Sequence, residues 1–289
     1  MSKQFGSRLA VDRLSLRVER GEIHGLLGHN GAGKSTAIGM MLGQVWPSDG
    51  DVLICGADVT SKRSTALARV GAIFESPAFY DYLSGRRNLE ILSGYTASTA
   101  RSRIQEVIQW VGLSGREDSK VSTYSHGMRA RLALAQALLP DPDLLILDEP
   151  SDGLDPEGIH EMRQTVLRLH RELRLTILLS SHLLTEVEQI CSHITVLRQG
   201  RKVFGGALSQ ARIEKGWIRL RVDDFSRATE LLRGRNWVDG KCQEPLIALH
   251  AHVLTADVVR LLVEAGLSVF EIAPHEETLE EFYLELMKQ

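Results

Sequence analysis

Residues 28–36 read GHNGAGKST, and no other stretch limits the fold of this chain so tightly. The pattern G-x-x-x-x-G-K-[ST] follows an apolar run, IHGLL, and opens a helix-like run, KSTAIGMMLGQ. Glycines let consecutive backbone N–H groups turn inward toward one anion without a Cβ in the way. The helix that follows points its positive end at the same place. Lys34 can then reach the β- and γ-phosphates of a nucleotide, and the Ser35 hydroxyl can ligate Mg²⁺. A glycine-rich turn that merely opened a helix would need neither the strand before it nor the lysine within it. The stretch therefore predicts a nucleoside-triphosphate cradle built from Gly28, His29, Asn30, Gly31, Ala32, Gly33, Lys34, Ser35 and Thr36. His29 fills a free position of the pattern, and little consequence is expected from it.

A second motif belongs with the first. LLILDEPSDGLD, Leu144 to Asp155, is an apolar strand ending in two carboxylates. Asp148, at the strand end, can hold Mg²⁺, and Glu149 just beyond it can polarise an attacking water. Pro150 prevents the strand from continuing.

Around these motifs the pattern alternates strand and helix. Strands are expected at RLSLRV (13–18), IHGLL, DVLIC, VGAIF, LLIL (144–147), LTILL (175–179) and ITVL (194–197). Ile104, Val107, Ile108 and Val111 follow helical spacing, as do Ile159, Met162, Val166 and Leu169. Such alternation favours a largely parallel sheet covered on both faces, with a mostly helical insertion between its early and late strands. Residues 205–216 are small and polar and read as a linker. Beyond them three strands and three helices form a small α+β module over 217–289, with capping-box spacing at Thr278–Glu281. His250 and His252 share a strand face, but two ligands do not make a metal site.

Composition narrows the function further. A formal net charge of −3 leaves no basic footprint for nucleic acid. No stretch approaches the roughly 18 apolar residues needed to span a bilayer, so any membrane role runs through a partner. Cys55, Cys191 and Cys242 lie far apart in no metal-type spacing and read as reduced thiols of a cytoplasmic protein.

YSHGM (124–128), taken alone, is a turn and a helix cap. With the two motifs above and with KQFG (3–6), SDGLD (151–155) and LSSHLL (179–184), it resembles the signature set of the ATP-binding cassette (ABC) ATPases, in the same order over residues 3 to about 204. Phe5 matches the aromatic residue that stacks on adenine, and Val11 an apolar neighbour of that ring. YSHGM matches the signature usually written LSGGQ, with Ser125 and Gly127 retained and His126 substituted. Asp155 matches the D-loop aspartate, and His182 the histidine that contacts the γ-phosphate. The finer likeness is to ATP-binding subunits of two-component exporters of drugs, antibiotics and antimicrobial peptides.

The resemblance implies an α/β P-loop NTPase domain over residues 1–204, with a mixed, mainly parallel sheet and a helical signature subdomain at about 77–140. It implies ATP and Mg²⁺ as cofactors, the metal held by Ser35, Asp148 and Glu75. It further implies a head-to-tail homodimer, or pairing with a related cassette, that sandwiches two ATP molecules. Glu149 and His182 would act on one side of each ATP, and the partner's signature and D-loop on the other. Separately encoded transmembrane permease subunits would hold the dimer at the inner face of the cell membrane, near Phe79, Tyr80 and Tyr82.

Two departures follow. Glu75 stands where the family has Gln, adding a carboxylate near Asp148 and Glu149; hydrolysis is expected to survive with a stronger dependence on Mg²⁺. The edge strand before the aromatic loop is expected to be missing, leaving Phe5 poorly anchored. A soluble clamp acting on nucleic acid or ribosomes is the competing reading. Such proteins carry long coiled-coil insertions or two cassettes, whereas only about 90 residues separate Gly33 from Ser125 here. A regulator that binds but does not hydrolyse is disfavoured by the presence of both Glu149 and His182.

Overall fold

Long apolar runs become buried strands, and their order places the two main motifs side by side. The computed structural model describes residues 1–74, 78–96, 100–211, 217–250, 252–275 and 278–288. The chain divides into two compact units, one of Met1–Leu208 joined by the end of the chain from Leu286 on, the other of Ser209–Glu285.

In the first unit, β1 (Lys3–Phe5) and β2 (Arg8–Val11) form an antiparallel hairpin, followed by β3 (Ile23–Leu27) and α1 (Lys34–Met41). A small hairpin, β4 (Leu53–Ile54) with β5 (Ala57–Asp58), leads through α2 (Arg63–Leu67) to β6 (Val70–Ile73). Next come the helices α3 (Gly85–Ser93), α4 (Ile104–Trp110) and α5 (His126–Leu138). The unit continues with β7 (Leu144–Asp148), α6 (Pro156–Leu173), β8 (Thr176–Ser181), α7 (Leu184–Ile190), β9 (His193–Arg198) and β10 (Arg201–Ala207), and the division falls at the start of α8 (Leu208–Ala211).

Six strands pair in the order β10-β9-β3-β8-β7-β6, all parallel except the antiparallel β10. Every residue of β3 and β8 is buried, which is why these strands read as apolar runs without alternation. The sheet is thus mixed and mainly parallel. The exposed edge β10 opens with Arg201 and Lys202, charges that discourage edge-to-edge pairing.

Several expectations change. Residues 13–18 alternate like a strand, yet none forms there. Leu14 is buried and Leu16 and Val18 half-buried against the core, so the alternation records one-sided packing of an unpaired segment. A short edge strand is present and carries Phe5 at its end: β1 pairs with β2, and Ser2 bridges to Asp49. The segment read as a linker from 205 begins inside a strand, since β10 runs to Ala207 and α8 follows.

The second unit contains β11 (Trp217–Val222), α9 (Phe225–Gly234), β12 (Val238–Gln243), β13 (Leu246–Leu249), α10 (Thr255–Glu264), β14 (Val269–Pro274) and most of α11 (Leu279–Lys288), whose residues from Leu286 on belong to the first unit. It has four strands rather than three, in the antiparallel order β12-β13-β11-β14, with the β-α-β-β-α-β connection of split βαβ domains. Leu220, Leu232, Ile247, Val258 and Leu262 form its core. The rings of His250 and His252 stack 5.8 Å apart, and neither belongs to a metal-ligating cluster among the described residues.

Candidate active site

Three loops leave the carboxyl ends of neighbouring strands: the phosphate loop after β3, Glu149 after β7 and His182 after β8. Strand register sets their alignment, with Asp148 beside Ser180 and Leu27 beside Ser181. Carboxyl ends of such sheets are where ligands bind in open α/β folds.

The loop's glycines are dictated by close contacts. A Cβ on Gly28 would lie 2.8 Å from both the Ala32 Cβ and the Leu197 carbonyl oxygen. Gly33 has φ 104° and lies against the backbone of β2, where a Cβ would meet the Ala10 oxygen at 2.6 Å. The resulting pocket of about 320 Å³ is lined by Asn30, Gly31, Gly33, Lys34, Ser35 and Thr36 from the loop and helix, Glu149 from the β7 end, and Phe5, Arg8 and Ala10 from the first hairpin. Gly28 and Ala32 are buried beneath it, and His29 lies exposed outside the lining, its Nδ1 2.8 Å from the Asn30 carbonyl.

Phe5 is half exposed and lines the pocket, with the Lys3 ammonium 4.9 Å from its ring centroid on one face. Lys3 Nζ in turn donates to the Trp46 carbonyl at 2.7 Å, which helps hold β1 in place. Val11 is a correction: it has no exposed surface and packs into the core. Period-two alternation along β2 turns Arg8 and Ala10 to the pocket instead, and sequence reasoning missed both.

Lys34 is only 4% exposed. Its Nζ donates to the Gly28 carbonyl at 2.8 Å and lies 3.1 Å from Glu149 Oε1. The other Glu149 oxygen, Oε2, lies 2.6 Å from His182 Nδ1. Burial favours the neutral form of Glu149, but the hydrogen bonds and charges of Lys34 and His182 outweigh it and hold the carboxyl below the usual range. Glu149 adopts φ 48°, a left-handed conformation that costs a residue with a Cβ about 1–2 kcal/mol. The β8 strand maintains it: the Glu149 N–H donates to the Ser180 Oγ at 3.0 Å and to the Ser180 carbonyl at 3.2 Å.

Asp148 accepts a short hydrogen bond from the Ser180 hydroxyl. With the exposed Ser35 hydroxyl it offers the all-oxygen donor chemistry that suits Mg²⁺. A second group of possible ligands lies beside it, since ligating atoms of Glu149, Asp152 and His182 all lie within 4.8 Å of one another. Glu75 falls outside the described residues.

The signature and D-loop residues do not line this pocket. Ser125 is the N-cap of α5, its Oγ accepting from the Met128 N–H at 3.2 Å. Asp155 caps α6 in the same way, accepting from the Gly158 N–H at 2.9 Å. Ser125, His126 and Asp155 are exposed, and a Cβ on Gly153 would approach His126 Cδ2 to 3.8 Å, so the signature and the D-loop are neighbours. A buried carboxylate missed in the sequence joins the D-loop to the β8 end. Glu186 on α7 accepts from the Ser151 hydroxyl and, at 2.8 Å, from the Ser181 hydroxyl.

The family model for ABC transporters matches residues 11–152. The ABC transporter ATP-binding protein YhcH of Bacillus subtilis is 39% identical over 287 residues, covering 99% of this chain and 93% of that protein. The bacitracin transport ATP-binding protein BcrA of Bacillus licheniformis is 35% identical, over 99% of this chain and 95% of that protein. A solved structure of an ATP-binding subunit of an ABC transporter superposes with a TM-score of 0.63 at 29% identity, covering 73% of this chain and 88% of that one. The chain belongs to the ABC transporter family as an ATP-binding and ATP-hydrolysing subunit.

Proposed function

We propose that the chain powers an exporter of drugs, antibiotics or peptides, as a homodimer or a pair with a related cassette that closes around two ATP molecules. The carrying observation is the division of the predicted residues: Lys34 and Glu149 line one pocket, with His182 bonded to Glu149 beside it, while Ser125 and Asp155 lie exposed and Gly127 half-buried outside it. One chain thus offers two half-sites, and a second copy placed head-to-tail would unite them.

Adenine stacks on the face of Phe5 away from Lys3, and the loop N–H groups and Lys34 take the phosphates. An arriving polyphosphate competes with Glu149 for Lys34, so binding frees the Glu149 carboxylate to accept a proton from the attacking water. His182 orients Glu149 and contacts the γ-phosphate. Ser35 and Asp148, and Glu75 by family resemblance, would hold Mg²⁺, which would supply neutralisation of the phosphate charge. The partner's Ser125 hydroxyl, Gly127 N–H and α5 N-terminus close the other side of the γ-phosphate. Phosphate release removes that bridge and reopens the pair.

No helix among the described residues is long and apolar enough to cross a membrane. In this reading the coupling runs through separately encoded permease subunits at the inner face of the membrane. Tyr80 and Tyr82 are exposed, with ring centroids 6.0 Å apart, beside the Asp81–Arg129 ion pair at 2.8 Å. They form the surface assigned to that contact. The likeness to the bacitracin transport ATP-binding protein of Bacillus licheniformis favours a cargo of that kind. Co-expression with a multi-span membrane protein, sought among the genes beside the one for this chain, tests the reading. Membrane association that depends on that protein, with ATPase activity altered in the complex, is expected; an ATPase indifferent to it and stimulated by nucleic acid or ribosomes would favour the soluble clamp.

A further inference from the structure

Three of the ten residues lining the pocket carry charge: Arg8, Lys34 and Glu149. Lys34 is matched by Glu149 at 3.1 Å, so those two leave the pocket close to neutral. Arg8 is different. It is exposed on β2, and no hydrogen bond or ion pair of its side chain occurs among the described residues. The neighbouring arginines are matched. Arg13 and Arg201 share Asp12 at 3.3 and 2.6 Å, and Arg17 reaches Glu19 at 2.5 Å. The Arg8 guanidinium instead stands over the phosphate loop, its Nη2 3.9 Å from where a Gly31 Cβ would be. It lines the same pocket as Phe5, the loop residues and Lys34.

We propose that Arg8 is a nucleotide-binding residue that clamps the polyphosphate against the loop, as a second cation beside Lys34. The inference rests on the loop holding that polyphosphate. A guanidinium suits the task because its fork donates two N–H groups to phosphate oxygens and stays charged at any physiological pH. It also supplies the positive potential that an anion meets on approach, since Lys34 is already neutralised by Glu149. The β1–β2 hairpin then carries two contacts on one short element, ring stacking from Phe5 and charge from Arg8. Adenine and phosphate recognition are thereby tied together.

The test is titration of the full-length chain with ADP and with the slowly hydrolysed analogue AMP-PNP at low and high salt, for wild type, Arg8→Gln, Arg8→Lys and Lys34→Ala. Arg8→Gln is expected to weaken both ligands about tenfold at low salt and to flatten the salt dependence, while Arg8→Lys recovers that dependence and most of the affinity. Unchanged affinity in Arg8→Gln overturns the proposal. So does a loss with the salt dependence intact, which would mark a structural effect on the hairpin. Lys34→Ala separates the two levels of the account. If it binds as tightly as wild type, the loop does not hold the phosphates and the underlying reading fails. If Lys34→Ala loses binding and Arg8→Gln does not, the Arg8 assignment alone fails.

Discussion

Glu149 is held by opposing groups at each of its atoms that matter: Lys34 at Oε1, His182 at Oε2 and Ser180 at the backbone N–H. Its carboxyl lies below the usual range because these partners favour the charge, so the Lys34–Glu149 pair persists at neutral pH. The stability it contributes is lost only as pH falls from the ordinary carboxylate range through that lowered value. The charge has a cost for the ligand. Glu149→Gln releases Lys34 and removes a negative group facing the polyphosphate, so the variant should bind ATP several-fold more tightly even as a monomer while hydrolysis falls by at least a hundredfold. Fluorescence titration at concentrations below dimerisation, beside a phosphate-release assay, reads both; weaker ATP binding would mean that the Lys34–Glu149 pair does not compete with nucleotide. A second residue sets acid sensitivity. Burial pushes the His24 value down, against the hydrogen bond to Glu22, whose Oε1 lies 3.0 Å from Nδ1; His193 and Lys202 add positive charge nearby. A buried histidine with a lowered value stabilises the fold above about pH 6.5 and progressively loses that contribution as pH falls through it. Thermal unfolding between pH 8 and 5 should show this slope in wild type and a shallower one in His24→Gln.

At the scale of elements, the site is an arrangement of strand ends held together by buried hydroxyls and one buried carboxylate. Glu186 joins the D-loop serine, Ser151, to the switch serine, Ser181, and thereby couples the loop carrying Glu149 to the one carrying His182. Glu186→Ala leaves two hydroxyls without their acceptor, and kcat should fall about tenfold to a hundredfold with a much smaller change in ATP affinity. An equal loss in both would instead indicate general unfolding of the site. Elements announced by continuous apolar runs or glycine patterns were legible in advance: β3, β7, β8, β9, α1 and the loop of Gly28–Thr36. The less regular ones were not. The alternation of residues 13–18 mimics a strand because only one side of that segment packs. Segments β10 and β12 lack a clear apolar period, since one is a charged edge and the other closes a small sheet. Arg8, Ala10 and Glu186 belong to no motif, and only strand phase or a folded contact reveals them. Val11 illustrates the same limit, because motif position named a residue that strand phase turns inward.

At the scale of the molecule, the chain contains a complete pocket and, away from it, a signature whose serine and helix N-terminus are exposed. Nothing in a single copy unites them, and the central claim is that a second copy does. Gly127 offers a clean probe. A Cβ there would have only the Ser125 Oγ near it, at 4.0 Å, so Gly127→Asp fits within its own chain and adds a negative charge where the partner's γ-phosphate would sit. The decisive measurement is the solution mass of Glu149→Gln with Mg-ATP, alone and combined with Gly127→Asp. The account predicts twice the 32.1 kDa chain mass for the single variant and the monomer mass for the double variant. A single variant that stays monomeric with ATP bound, or a double variant that still dimerises, would contradict it.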